Sequence, residues 1–535
     1  MGLRFVFAVF LLVGCGGPTT PGELSGVGAA RSVGGETTVR HDDGPLGRRF
    51  GRIQYEARSP TPTGASAARE LRAGRWLRLR FVRGDRVLVE TRSDGLGAFD
   101  AQVPAAADAL LVDARVQFQD HDLEVTADRA GEEGYSHRVE LGGPAATSLD
   151  VRIGDDGDGL AGAFHILDRM LDGSLAVREW TGRELAPFYA YWGRGVTTDW
   201  SFYLGRCGDA EAGRYCIELL GGEPGQQSTT DTDEHDDAII LHEFGHFVMD
   251  QLSTSSSHGG GHPGGLLLDP GLAWEEGRAS WFALSVMRES AYQDTIGLEG
   301  SGELRVNHQA ERRGTGIRGQ GSELGVLEVL WDLTDGTDDI ADADDDGVAL
   351  GPARLLRAML AMREVPGSYP TISTFLAYLL EQQEISVPQL ERIYHIGGHP
   401  ADLHSPSSVA LWPRDLELGQ WVGGKIDGLT NPAPSGGAPR PQNGYDAVHV
   451  YRVQVQERGI LNIHLEVDGS GQAREQTDVD IELRDLRGDA IASSREETPQ
   501  EVIARLVDPG FYLVYVRDGG SGNRASYRLR VSTGW

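Results

Sequence analysis

The sequence predicts a multidomain fold in which an N-terminal β-sandwich and a C-terminal β-sandwich flank an α+β domain. Three observations predict it. Polar and apolar residues alternate in short runs between positions 49 and 149 and again between 445 and 535, the period of strands with one buried face. Near Asp158 the apolar spacing changes to three and four residues, the period of a helix with one buried stripe. A stretch rich in Pro, Gly and Ser, TNPAPSGGAPRPQNG within residues 403–444, has the composition of a linker.

Composition narrows the class. Hydrophobic residues make up 39% and charged residues 24% of the 535 positions, which suits folded domains with several cores rather than disorder. Asp and Glu number 80 against 49 Lys and Arg, and a formal charge of -31 repels phosphate backbones, so no nucleic-acid partner is expected.

Residues 1–14 carry one charge at Arg4 and then an apolar run from Phe5 to Val13, too short to span a bilayer as a helix, so they read as an export signal. The end of that run, Leu12-Val13-Gly14-Cys15, resembles the lipobox of bacterial lipoproteins. The resemblance implies cleavage before Cys15, lipid on Cys15, and an exported chain anchored to the bacterial cell envelope, at the outer membrane, with the membrane as a partner. Residues 15–48 lack a core pattern and form a flexible tether. Cys207 and Cys216, in RCGDAEAGRYC, are an even pair close in sequence and are expected to close a small loop as a disulfide.

Residues 49–149 contain the strand-like runs GRIQYEAR, RWLRLRFV, DRVLVETR, GAFDAQV, DALLVDARVQF, DLEVTA and HRVEL, the pattern of a sandwich. Within them ETRSDGLGAFDAQVP resembles a strand pair of the prealbumin-like domains found beside bacterial peptidases. In residues 150–402, GLAGAFHILDRMLDGS has helical spacing. FYAYW, WSFYLG and YCIELLGG follow as strands, and helices are expected at 270–289, 322–334, 352–363, 371–383 and 388–396. Residues 445–535 return to the all-β pattern. The order of Asp478-Val479-Asp480-Ile481-Glu482-Leu483 and then Asp508-Pro509-Gly510-Phe511-Tyr512 resembles the bacterial pre-peptidase C-terminal domain, which accompanies secreted peptidases without doing the chemistry.

The chemistry concentrates in AIILHEFGHFVMD, residues 238–250. Asp236-Asp237 before it supplies a cap, and on the helix His242 and His246 project from one face, about 40° apart, so both imidazoles can reach one ion. Glu243 is offset by about 100° and can flank the ion rather than bind it. This is the HExxH arrangement, in which zinc lowers the pKa of water and the glutamate takes the proton. Catalytic zinc takes three protein ligands, so a third is needed. LDPGLAWEEGRASWFALSVM begins with a cap, Asp269, and a proline at a first helical position, and it carries Glu275 and Glu276. Trp274 to Trp281 resembles the ligand helix of the gluzincins, and HEFGHFVMD resembles the thermolysin-like HExxHxxxD, with Asp250 in last place.

That resemblance implies a zincin-like catalytic domain, with His242, His246 and Glu276 as ligands of one zinc and Glu243 as general base. Asp250 and Ser280 would support the ligands, although thermolysin-like enzymes carry Asp where this chain has Ser280. The implied function is a lipid-anchored zinc peptidase acting on a peptide or protein laid along an edge strand such as YCIELLGG, with Gly277 and Ala279 letting the two site helices approach each other. The alternatives are a surface adhesion or scaffold protein whose metal site is structural or inactive, and hydrolysis of a non-peptide amide of the cell wall. His308, Tyr394 and His395 are candidates to stabilise the transition state, and none is assigned. Asp342, Asp344 and Asp346 before Gly347 match half of a calcium loop, but position twelve is Ala353, so a solvated acidic turn stands ahead of Ca2+. Asp155, Asp156 and Asp158 read the same way.

Overall fold

The computed structural model describes residues 12–15, 43–142, 148–155, 159–198, 200–207, 214–254, 262–263, 267–311, 318–335, 347–365, 369–401, 403–404, 413–427, 448–468, 478–486, 488–496, 498–518 and 524–534. Most of the expected export signal, most of the tether, most of the linker, Asp156, Asp158 and Asp342, Asp344 and Asp346 lie outside the described residues, and the expected tether gives way to a strand already at Leu46. The protein is strand-rich and built from several sheets. Its contacts divide it into two compact units, Gly22–Phe247 with Gln293–Asn307, and Val248–Tyr292 with His308–Trp535 and Met1–Pro21.

In the first unit, strands β1 (Leu46–Ala57), β2 (Glu70–Ala73), β3 (Leu77–Arg83), β4 (Arg86–Arg92), β5 (Ala98–Pro104), β6 (Ala109–Phe118), β7 (His121–Thr126), β8 (Ser136–Glu140) and β9 (Val151–Ile153) precede the first long helix. That helix, α1, spans Leu160–Thr181, and β10 (Phe188–Trp192), β11 (Phe202–Cys207) and β12 (Arg214–Leu219) follow it. One sheet has the order β11-β12-β10-β7-β6-β3-β4, with β8 also on β6, and a smaller one has the order β9-β1-β2, with β5 on β1.

The expected boundary at 149/150 does not coincide with a break. β7 pairs in parallel with β10, Leu123 opposite Phe188 and Thr126 opposite Tyr191, so one sheet runs from the N-terminal strands into those before the HEFGH helix. α1 packs against β1, β6 and β7, covering strands of both sheets. The physical reason is burial: Phe164, Ile166, Leu167, Met170 and Leu171 on α1 are each at most 1% exposed and need apolar sheet surface beneath them. β12 is paired on both sides, with β10 and with β11, so YCIELLGG is not an edge and cannot accept a substrate strand.

The helices of the second half are α2 (Asp237–Leu252), α3 (Pro270–Met287), α4 (Glu323–Asp332), α5 (Pro352–Met362), α6 (Ile372–Glu381) and α7 (Val387–Gly397), close to the spans expected from sequence. The hairpin of β13 (Ala291–Ile296) and β14 (Glu303–Gln309) lies between α3 and α4 in the chain. The C-terminal strands are β15 (Trp421–Asp427), β16 (Val448–Val455), β17 (Gly459–Asp468), β18 (Val479–Asp485), β19 (Ala490–Ser494), β20 (Gln500–Val507), β21 (Gly510–Asp518) and β22 (Arg524–Gly534). They form two antiparallel sheets, β16-β21-β18-β19 and β15-β22-β17-β20. Alternate residues of both, such as Leu461, Ile463 and Leu465 on β17 and Ile481 and Leu483 on β18, share one apolar core, as a sandwich requires.

Candidate metal centre

Helix α2 is held in place by aromatic packing and by ion pairs at its start. Phe188 of β10 meets Phe244 edge-on at 5.2 Å and stacks on Phe247 at 4.2 Å. Gly173 of α1 makes the close approach possible, because a Cβ there would lie 2.7 Å from Cδ1 of Phe244. Asp236 precedes the helix, Asp237 is its first residue, and the carboxyl groups of both have partners in other segments. Asp236 accepts from Thr295 N at 3.2 Å and Thr295 Oγ1 at 2.9 Å, and Asp237 takes His165 Nε2 at 2.5 Å and Arg169 at 3.5 Å. Burial pushes His165 down to about 4, against the pull of Asp237, so the imidazole is neutral at pH 7.

Helix α3 begins as expected. Asp269 accepts from Gly271 N at 2.9 Å and Leu272 N at 3.1 Å, and Pro270 occupies the first position. Its central residues are buried, with Trp274 and Trp281 both fully so. At Gly277 the atoms nearest to an added side chain belong to α4. A Cβ there would lie 2.5 Å from Cβ of Val326 and 2.8 Å from the carbonyl oxygen of Glu323, so this glycine admits α4.

Among the described residues, His242, His246 and Glu276 form a group that could hold a metal ion, with one ligand atom of each within 4.8 Å of the others. All three are buried, His242 and Glu276 completely. Nε2 of His246 faces Nε2 of His242 at 3.0 Å, close to the roughly 3.3 Å between two ligands of a tetrahedral zinc held at about 2.0–2.1 Å. Two histidines and a carboxylate are a donor set that zinc uses, so the residues fit the ion. Glu243 is also completely buried, one position after His242.

The neighbouring glutamate has a different task. Glu275 is paired with the fully buried Arg278, whose guanidinium also donates to Ser253 Oγ at 3.1 Å and the Thr254 carbonyl at 3.1 Å. Ser280 is buried one turn after Glu276, and Asp250 is half-buried in the last turn of α2. His308 and Arg318 flank Glu328 at 3.3 and 3.2 Å, Tyr394 contacts His404 at 3.2 Å, and His395 is exposed. Cys207 and Cys216 sit on adjacent antiparallel strands, Cα to Cα 5.9 Å, as a disulfide needs. Cys15 ends a short strand, Leu12–Cys15, paired with His262–Pro263. No helix among the described residues is long and apolar enough to cross a membrane.

Sequence reasoning missed a second group, Asp231, Asp233 and Asp294, whose ligand atoms also lie within 4.8 Å of one another. The signal was the spacing of two in TDTDEHDD, which places Asp231 and Asp233 on one side of an extended segment. Among the described residues, Asp155 is not part of such a group. Burial alone would raise its carboxyl, but His235 and Arg58 hold it down to about 2.

No known protein family and no curated protein matches the chain. Parts of it are similar to solved structures. The pre-peptidase C-terminal domain of a Bacillus anthracis collagenase matches at 16% identity over 22% of this chain and 92% of that one, with a TM-score of 0.17. A periplasmic inhibitor of g-type lysozyme from Aeromonas hydrophila matches at 14% identity over 22% and 94%, with a TM-score of 0.15. The M60 catalytic domain with CBM51 domains of Clostridium perfringens ZmpB matches at 21% identity over 16% of this chain and 10% of that one, with a TM-score of 0.13.

Proposed function

We propose that the protein is a zinc-dependent peptidase. The observation that carries the reading is the group of His242, His246 and Glu276, with Glu243 buried beside it on the same helix. The two imidazoles and the Glu276 carboxylate would hold the ion. Zinc held there supplies Lewis-acid polarisation of a carbonyl oxygen and makes water more acidic. Glu243 is the base: a carboxylate oxygen takes the proton from the attacking water, and the same group returns it to the leaving nitrogen as the C–N bond breaks. The bulky neighbours of these residues, Phe244 and Phe247 among them, fix the helix so that the base needs no reorganisation.

The substrate is an extended peptide or protein. The lipobox-like end at Cys15 supports export and anchoring to the cell envelope at the outer membrane through lipid. The strongly acidic composition favours protein over nucleic acid as the macromolecular partner.

The test is the zinc-to-protein ratio of wild type and His246→Ala, together with hydrolysis of an unfolded protein. One zinc per chain and hydrolysis in wild type, both lost in the variant, are expected. Zinc without hydrolysis would leave the adhesion or scaffold reading in its place, and no zinc in wild type would remove both.

A further inference from the structure

Four aspartates meet before α2, away from the histidines. Asp231 and Asp233 come from the segment leading into the helix, Asp236 is the residue before its first position, and Asp294 comes from β13. The backbone fixes their arrangement: Asp231 bridges to Ile296, Gly297 N donates to the Thr230 carbonyl at 3.0 Å, and Leu298 N to that of Ser228 at 3.1 Å. A side chain two places before Ile296 therefore faces those at 231 and 233.

The surrounding groups are donors, which is what ionised carboxylates need. Arg305 Nη1 donates to Asp231 at 2.6 Å, the Ser201 hydroxyl donates to Asp233, and Thr295 gives both its N–H and its hydroxyl to Asp236. Asp294 is different. It is only 8% exposed, and its Oδ1 has no hydrogen-bond partner although it belongs to the group. Oδ1 of Asp231 likewise has none. Among the described residues, Arg305 is the single cation paired with the cluster, so its carboxyl groups outnumber the positive charge in a buried place.

We propose that Asp231, Asp233 and Asp294 bind a divalent oxygen-seeking cation, calcium, at a site separate from His242, His246 and Glu276. The donors are all carboxylate oxygens, the set that calcium takes at 2.3–2.6 Å, and oxygens across such a sphere lie about 5 Å apart, as the separations within 4.8 Å allow. Zinc would select the imidazoles instead. Asp231 is about one-fifth exposed, which gives the ion a path from solvent and leaves room for water among its ligands. Asp236, saturated by Thr295, stays outside the first ring and passes the constraint to α2, whose Ile240 N donates to the Asp236 carbonyl at 3.1 Å. The ion would thus lock the segment before α2 to β13.

The experiment is equilibrium dialysis of the zinc-loaded full-length protein against radioactive calcium, with Asp294→Asn and Asp231→Asn alongside. Wild type should bind one calcium that either variant weakens at least about tenfold. The triple variant Asp342→Asn, Asp344→Asn, Asp346→Asn should retain that calcium, and zinc content should be the same in all four proteins. Calcium at a hundred times its dissociation constant should raise the melting temperature of wild type by roughly 5 °C and leave that of Asp231→Asn unchanged. If Asp294→Asn does not fold, the less buried Asp231 position decides alone. No calcium on wild type, or equal affinity in wild type and Asp231→Asn, overturns the proposal. Because the readouts are calcium occupancy and melting, they stand whether or not the protein cleaves peptides.

Discussion

Glu275 and Glu276 are neighbours with the same side chain, and the structure gives them opposite surroundings. A helix turns about 100° per residue, so one points to the two histidines and the other to Arg278. Glu276→Ala is therefore expected to lose zinc on dialysis against a weak chelator. Glu275→Ala should keep zinc but leave a fully buried guanidinium unpaired, which costs about 3–5 kcal/mol of stability by chemical denaturation. Zinc lost from Glu275→Ala while it is still folded would move the ligand by one position. Glu243→Gln should hold zinc as wild type does and hydrolyse peptide at least about a hundredfold more slowly, which a single-turnover assay reads directly. A different residue reports on pH. His449, buried against the Tyr527 hydroxyl at 2.6 Å, is pushed down to about 4 by burial and then by Arg414, from an ordinary 6.5. Its folded pKa lies below its unfolded one, so its contribution is complete above about pH 6.5 and is lost as pH falls toward 4, up to about 3 kcal/mol. The pH dependence of unfolding should shrink by that amount in His449→Gln, and identical slopes in the two proteins would exclude the effect.

Elements show why some of the site was legible in the sequence and some was not. HEFGH and WEEGRA could be read because metal chemistry demands particular side chains at helical spacing, and both helices form where periodicity places them, α3 behind its expected cap. The parallel pairing of β7 with β10 could not be read, because a crossover joins strands far apart in the chain and leaves no local pattern. The same holds for Asp294, which only the return of β13 brings to Asp231 and Asp233. Gly277 was legible as a small residue but not by its partner, since spacing on one helix does not say which neighbour lies against it. Gly277→Ala should push α4 from α3 through Val326 and the Glu323 carbonyl, costing about 1–3 kcal/mol. The accompanying displacement of Glu276 should weaken zinc as well. A variant with wild-type stability would show that the helices can part without strain.

At the scale of the whole molecule, the C-terminal sandwich is joined to the helical part of its own unit. Tyr369, before α6, shares a buried cluster with Val448 and Val450 of β16 and Leu513 and Tyr515 of β21, and its hydroxyl lies 3.3 Å from that of Tyr515. The Tyr369 hydroxyl also bonds Asp269, the cap of α3. Deleting residues 413–535 should therefore lower the melting temperature of what remains and weaken its hold on zinc, whereas a detachable accessory domain would leave both unchanged. At the other end of the chain, Cys15→Ser should move the protein from the membrane pellet to the soluble fraction, and retention after an alkaline wash would count against a lipid anchor. The chain Asp269–Tyr369–Tyr515 also bears on biosynthesis. A polypeptide emerges N-terminus first, and its early segments begin to fold while later ones are still being made. The cap of the Glu276 helix gains its full set of partners only when β21, almost the last strand, has appeared. The helix that carries Glu276 therefore reaches its final surroundings only after β21, far downstream of it in the chain, has been made.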